Sequence, residues 1–446
     1  MCIRDRSLPV NEKLNAPFIS QELNNFNSCS NFFHEVKKVS SFVSGNLFYD
    51  RWQKLQESSL GISTESCKQG EPAESTESNK KYEKQRLARL LVGGRLWVCC
   101  RTPVPSKIYT KAGQSYLPDS IKSVEIYKSK TANKFSFGGL MKCGSVWTCP
   151  VCASDITEVR RLELKQVVGS WKSVSAHDVL MLTLTVPHYA KNSLGDVLSG
   201  ITDAFRRFTN RKGFKQFSKE VGLEGRIRTL EVTYGENGWH PHFHILLFVD
   251  KKVASQNISS FKNILLAQWQ SACVASGLPC PNEHGLDLVN GMQAAAYVSK
   301  WGLEEEMTKG HLKQGKKDGH VSPFGLLDLY GAGDKKAGEK FKEFAECFKG
   351  KRQLVWSDGL KKKLGLTEEK TDQEIVDEVE SSSEIFALVP VRTWNKIIEK
   401  EKFCEMLAVC EKGKEALDLW LQRITGFEDL KRGHARNNLR QSSFKN

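Results

Sequence analysis

Apolar positions fall into two clear periods between residues 179 and 301, and these periods set out the elements. Val179 to Val186 is a β-rich run, whereas Val197 to Val221 carries Phe205, Phe208, Phe214 and Phe217 at helical spacing on one side. Arg226 to Tyr234 and Trp239 to Val249 flank Gly235-Glu236-Asn237-Gly238, the composition of a hairpin turn. Ile258 to Ser276 reads as helix, Leu286 to Val289 as a short strand and Met292 to Trp301 as another helix. That order predicts an α+β fold, a sandwich built on a central antiparallel sheet with flanking helices.

The pattern changes on either side. Arg95 to Arg161 alternates short apolar runs with cysteines and turn residues, while Ser58 to Lys84 has no apolar face and reads as a linker. Folded sequence is therefore expected from about Gln85. Beyond Gly302 come a Gly/Lys-rich stretch and two amphipathic helical segments, Asp334 to Phe348 and Trp394 to Ile424, with a Glu/Ser-rich joint at Glu368 to Glu384. Four regions follow: 1–84 poorly structured, 85–165 Cys-rich, 166–330 around the sheet, and 331–446 helical.

Composition narrows the class. A chain of 446 residues is long enough for two or three domains, and 39% hydrophobic with 26% charged residues is ordinary for a globular protein. No apolar run approaches the roughly 20 residues of a membrane span, and Cys2 to Arg6 leads straight into polar sequence, so a cytoplasmic protein without a membrane partner is expected. The 66 Lys and Arg outnumber 52 acidic residues, a formal charge of +14 that favours a polyanion, nucleic acid ahead of anionic membrane. Thirteen cysteines, an odd count spread along the chain, argue for thiols and metal ligands over disulfides.

Two clusters carry chemistry. His240, His242 and His244 alternate with Pro241 and Phe243, so on a strand all three imidazoles leave one face, a nitrogen site for a divalent metal. With the turn centred between Glu236 and Asn237, Glu231 stands opposite His242 and joins that face; a slip of one residue would remove it. Two histidines plus Glu231 leave positions open for a substrate oxygen, with His240 a third ligand or a hydrogen-bonding neighbour. The second cluster is Cys143, Cys149 and Cys152, which with Cys99 or Cys100 offer four thiolates to a structural Zn2+. A basic strip, Arg206, Arg207, Lys212 and Lys215, interleaves with phenylalanines and is a weaker candidate for DNA contact, as are Arg160 and Arg161 beside the cysteines.

Three segments then resemble a known family in order. Leu182-Thr183-Leu184-Thr185-Val186-Pro187, Gly238-Trp239-His240-Pro241-His242-Phe243-His244-Ile245-Leu246-Leu247 and Tyr297-Val298-Ser299-Lys300 are similar to the motifs of rolling-circle replication initiators of plasmids and phages, within the HUH endonuclease superfamily. The likeness continues through Lys300 to Glu306 and Ser322-Pro323-Phe324, covering roughly Cys100 to Leu366. It implies a site-specific DNA endonuclease and strand transferase acting on single-stranded or hairpin origin DNA. Tyr297 would be its nucleophile, Lys300 its charge partner and Mg2+ or Mn2+ the ion at the histidines. A host helicase and polymerase would be further partners. Relatives often carry a Cys-rich segment before the first motif, in keeping with a zinc module here. Some relatives have a glutamate one helical turn before the tyrosine; here it is Gln293, which cannot act as a general base. Termination would then use Glu304 to Glu306, a second subunit's tyrosine, or reversal of the tyrosyl bond. The same chemistry serves single-tyrosine transposases and relaxases, and an idle DNA-binding regulator could keep the same fold.

Overall fold

The computed structural model describes residues 77–104, 109–111, 114–116, 123–128, 135–290, 319–366, 370–379 and 384–425. Its centre is a five-stranded sheet of order β8-β5-β7-β6-β9, with β5 at Asp178–Thr185, β6 at Leu223–Gly235, β7 at Gly238–Val249, β8 at Leu286–Val289 and β9 at Leu354–Trp356. Every neighbouring pair is antiparallel, as the order of elements predicts. A smaller sheet joins β10 (Glu384–Pro390) to β3 (Ser123–Lys128) and β4 (Phe135–Gly138), and β1 (Tyr109–Lys111) pairs with β2 (Gln114–Tyr116).

Side-chain alternation sorts the central sheet into two faces. Leu182, Leu184, Phe243, Ile245 and Leu247 pack under α3 (Leu194–Asn210), α4 (Lys212–Val221) and α5 (Ser255–Ala275). The opposite face buries Val179, Met181, Ile227, Leu246 and Phe248 against Leu164 and Val167 of α2 (Pro150–Lys172). Trp171 pins that helix end by donating its indole N–H to the carbonyls of Asp178 and Val249, at 3.0 and 3.2 Å. Farther along this second face the strands carry polar groups, and the histidines lie there.

A third core joins sequence-distant parts. Tyr82 of α1 (Glu77–Val92), the buried cysteines, Phe137 and residues of α6 (Pro323–Gly331) and α7 (Lys335–Phe348) share it with Trp394, Phe403 and Trp420. The helix α1 begins within the stretch whose composition reads as linker. Its lone aromatic, Tyr82, is completely buried, with ring contacts to Phe137 at 5.4 Å and Phe403 at 6.2 Å.

Three other element boundaries differ from the sequence pattern. The single helix expected over Val197 to Val221 breaks at Arg211, whose backbone is extended (φ −72°, ψ 151°); Phe208 and Phe214 then meet at 5.0 Å across the break. Trp394 to Ile424 divides into α10 (Val391–Glu399), α11 (Phe403–Glu411) and α12 (Lys414–Thr425), with Glu401 and Gly413 at positive φ in the turns between them. The Glu/Ser-rich joint contains α9 (Asp372–Val379), because Ile375 and Val376 are buried and Asp372 pairs with Arg160. A short helix α8 (Leu360–Lys363) precedes it.

Candidate functional site

The hairpin β6–β7 has the register that places Glu231 with the histidines. Gly235 pairs with Gly238, Glu231 with His242 and Thr233 with His240. Gly238 closes the turn at φ 88°, and a Cβ there would stand 3.0 Å from the Tyr189 carbonyl oxygen and the Ala190 Cα, so backbone packing as well as conformation calls for glycine. From β5, Thr185 stands opposite His242 and Thr183 opposite His244. These pairings put the two threonines, Glu231, His242 and His244 on one face of the three central strands.

Glu231, His242 and His244 can each aim one donor atom at a common point, all within 4.8 Å of one another. The Glu231 Oε2 atom is 3.4 Å from His242 Nε2 and 3.2 Å from His244 Nε2. Two donors held about 2.1 Å from an ion stand roughly 3.0 Å apart at an octahedral angle and about 3.4 Å at a tetrahedral one, so the spacing fits a divalent ion. Burial supports the same reading, because Glu231 is only 7% exposed and His244 5%. A carboxylate so far from water needs a cation or several donors.

Thr183 supplies the outer support, with Oγ1 3.3 Å from His244 Nδ1. If Nδ1–H donates to that hydroxyl, the Nε2 lone pair is the one turned to the Glu231 carboxylate. Thr183→Val should therefore weaken divalent-ion binding by about 10–100-fold, with Thr183→Ser restoring most of it; calorimetric titration reads both.

His240 belongs to a neighbouring group. Its ring centroid lies 5.3 Å from that of His242, 4.5 Å from His188 and 6.2 Å from His320. Burial first, and then His242, His188 and His320, push its pKa down to about 3, so it is a neutral imidazole at ordinary pH. The sequence reading missed His188 and His320. The first directly follows the Leu182 to Pro187 segment; the second packs against Gly235, whose Cβ would come within 2.6 Å of its ring. Backbone hydrogen bonds between Tyr234 and Val321 fix that approach, which no local pattern announces.

The second group is the cysteine cluster. Sulfurs of Cys99, Cys143, Cys149 and Cys152 lie within 4.8 Å of one another, all buried. Cys99 is 3.7 Å from Cys149 and 3.6 Å from Cys152, and Cys143 is 3.7 Å from Cys152. A tetrahedron with arms of about 2.3 Å has edges of about 3.8 Å, so four thiolates around one metal fit without rearrangement. The choice left open by the sequence falls on Cys99; Cys100, at φ 56°, turns aside with its sulfur 3.9 Å from that of Cys99. Gln85 donates to Cys99 and Cys149 at 3.3 and 3.2 Å, and the Cys143 amide donates to Cys99 at 3.3 Å. Cys149 is the N-cap of α2, where the helix dipole favours a thiolate. Burial would raise its thiol, yet contacts from Cys143, Cys152 and Cys99 hold it well below the usual value.

Other sequence candidates fare differently. Arg206 and Arg207 both pair with Asp203, at 2.6 Å each. Arg160 is buried and bonded to Asp372 of α9 and to Gln353, and Arg161 pairs with Glu158 one turn back on α2. Tyr297, Lys300, Gln293 and Glu304 to Glu306 lie outside the described residues. Among the described residues no helix is long and apolar enough to cross a membrane.

Comparison with known proteins gives these groups a context. The Rep_1 family model, described as "Replication protein", matches residues 141–402, a span containing three of the four clustered cysteines and the whole histidine hairpin. The chain is 26% identical over 307 residues to "Protein rep" of Streptomyces lividans, with 54% of this chain and 67% of that protein covered. It is 31% identical over 146 residues to "Neomycin resistance protein" of Streptomyces cyanogenus (26% and 32% covered) and 31% identical over 107 residues to "Protein rep" of Staphylococcus aureus (23% and 44% covered). For the latter two the chain spans less than half of the relative's length. No solved structure matches. With its match extending over more than half its length, the chain belongs to the Rep_1 family of replication proteins.

Proposed function

We propose that the chain is a replication initiator of the HUH type that nicks origin DNA with Tyr297 at the histidine-bearing face of the sheet. The observation that carries this reading is the convergence of Glu231, His242 and His244 on one point, two imidazoles and a carboxylate. A bound divalent ion would act as a Lewis acid on the scissile phosphate and fix its orientation. Two nitrogen donors favour Mn2+ over Mg2+, which prefers an all-oxygen shell.

The chain's own groups do the rest. The Tyr297 phenol loses its proton and attacks phosphorus in line; a P–O bond forms to tyrosine as the bond to the 3′ oxygen breaks. A phosphotyrosyl link on the 5′ side and a free 3′-OH primer result. A phenol has a pKa of about 10, so little phenolate exists near neutrality, and Lys300 would favour that form or offset charge on the phosphate. Because the ester is exchanged rather than hydrolysed, a 3′-OH can attack the tyrosyl phosphate and rejoin strands without ATP. The four-cysteine centre, in this reading, holds Zn2+ as a structural staple.

Changing Glu231→Gln tests the site. The variant keeps shape and hydrogen-bonding capacity but removes the charge. Mn2+ affinity should fall by at least the 10–100-fold typical of losing an outer-shell partner, and nicking of single-stranded origin DNA should fall with it. Unchanged Mn2+ affinity would remove Glu231 from the site.

A further inference from the structure

The face of the sheet opposite the histidines holds two arginines that the sequence pattern does not single out. Arg226 and Arg228 lie on β6 opposite Leu247 and Ile245 of β7, hence on the side covered by α3. Both guanidinium groups sit over the Phe205 ring, at 5.7 and 4.9 Å, and Arg228 also lies 4.4 Å from the centre of the Phe243 ring. The backbone of Arg226 is fixed by two 2.9 Å hydrogen bonds with Ser357.

Their charges are poorly compensated. Among the described residues neither arginine makes an ion pair or a side-chain hydrogen bond, and Asp358 is the one carboxylate that acts on Arg226, without reaching ion-pair distance. Burial, and then the charge of Arg226, pull Arg228 down to about 10. Two half-buried like charges on one strand raise each other's cost. Nearby, Arg206 and Arg207 share Asp203, so the basic strip chosen from sequence is already partly neutralised. The contacts with Phe205 and Phe243 use none of the guanidinium N–H groups as hydrogen-bond donors, so the donor forks remain for an anion such as a phosphate diester.

We propose that Arg226 and Arg228 form a phosphate-binding pair for the DNA backbone on the face of the sheet away from the nicking site. The pair would anchor the strand or duplex arm outside the scissile segment, which rests on the replication-initiator reading. Phosphate contacts of this kind position DNA without reading its sequence.

Random-sequence oligonucleotides, single-stranded and duplex, therefore suffice as probes. Binding would be followed by fluorescence anisotropy over a salt titration in buffer with no chelator and no added Mn2+ or Mg2+, which leaves the metal at the cysteines in place while neither a divalent ion at the histidines nor Tyr297 chemistry contributes. Arg226→Met/Arg228→Met keeps the packing against Phe205 and Phe243 but removes both charges. It should weaken binding about tenfold and reduce the slope of log affinity on log salt by about 0.7 per arginine for single strands or about 0.9 for duplex, the larger loss identifying the form held there. Arg226→Lys/Arg228→Lys should keep most of the slope. A slope unchanged in the methionine variant, with Mn2+ binding at the histidines confirming its fold, would overturn the inference. Should that variant not fold, the lysine variant and the two single Met variants carry the same comparison. A slope that depends on the arginines in a protein that forms no Tyr297 adduct would keep this inference while removing the nicking reading.

Discussion

Replacing Cys149 and Cys152 by serine together should abolish metal binding at the cysteine cluster, where we propose Zn2+, and unfold much of the chain, including helices far from the cysteines in sequence. Cys149 links to Cys99 by a 3.7 Å contact and Cys152 to both Cys99 and Cys143, so the pair supplies half of the tetrahedron. Structural zinc contributes about 10–16 kcal/mol of apparent binding free energy in small zinc modules, against a net stability of roughly 5–15 kcal/mol for an ordinary domain. Loss of the ion would therefore remove an amount comparable to or larger than the fold's whole net stability. The effect would spread because the cysteines share one core with Tyr82, Phe137, Trp394, Phe403 and Trp420. Elemental analysis should give about one zinc per wild-type chain and none in the variant, with a thermal transition lowered or lost. A metal-free variant that melts like wild type would show that the sulfurs are packing groups only. Cys100→Ser, by contrast, should retain the metal.

The sheet, its hairpin and the position of Glu231 were legible in the sequence for a physical reason. A strand's two-residue period leaves only two faces, and the Gly235 to Gly238 turn fixes the register, so one count across the turn decides which carboxylate meets His242. Cys99 was separable from Cys100 only in three dimensions, since adjacent residues look alike until a left-handed backbone at Cys100 turns one of them away. His188 and His320 reach His240 through contacts between distant segments, and Arg226 and Arg228 read as ordinary strand residues until Phe205 is placed over them. The strand β10 escaped notice because its partner, β3, lies more than 250 residues earlier. Such pairings leave no periodic trace.

Tyr297→Phe should abolish covalent attachment to DNA while leaving folding, metal content and DNA affinity unchanged. The substitution removes one oxygen atom, so any loss of attachment reports the missing nucleophile and no wider defect. Attack by Ser299 or Lys300 instead would give a serine ester or an acid-labile phosphoramidate, so any residual adduct would carry a chemical signature distinct from phosphotyrosine. With Gln293 where some relatives have a water-activating glutamate, the adduct should be long-lived if the reaction ends by a second subunit's tyrosine or by reversal, and short-lived if Glu304 to Glu306 activate water. The direct measurement is to incubate the protein with Mn2+ and end-labelled single-stranded DNA from its own origin, then separate the products under denaturing conditions. A labelled protein–DNA band that needs the metal, resists denaturant, maps to Tyr297 and disappears in Tyr297→Phe is the result expected. Cleavage or attachment that persists in Tyr297→Phe, or no adduct across a library of hairpin sequences, would contradict a tyrosine-based nickase.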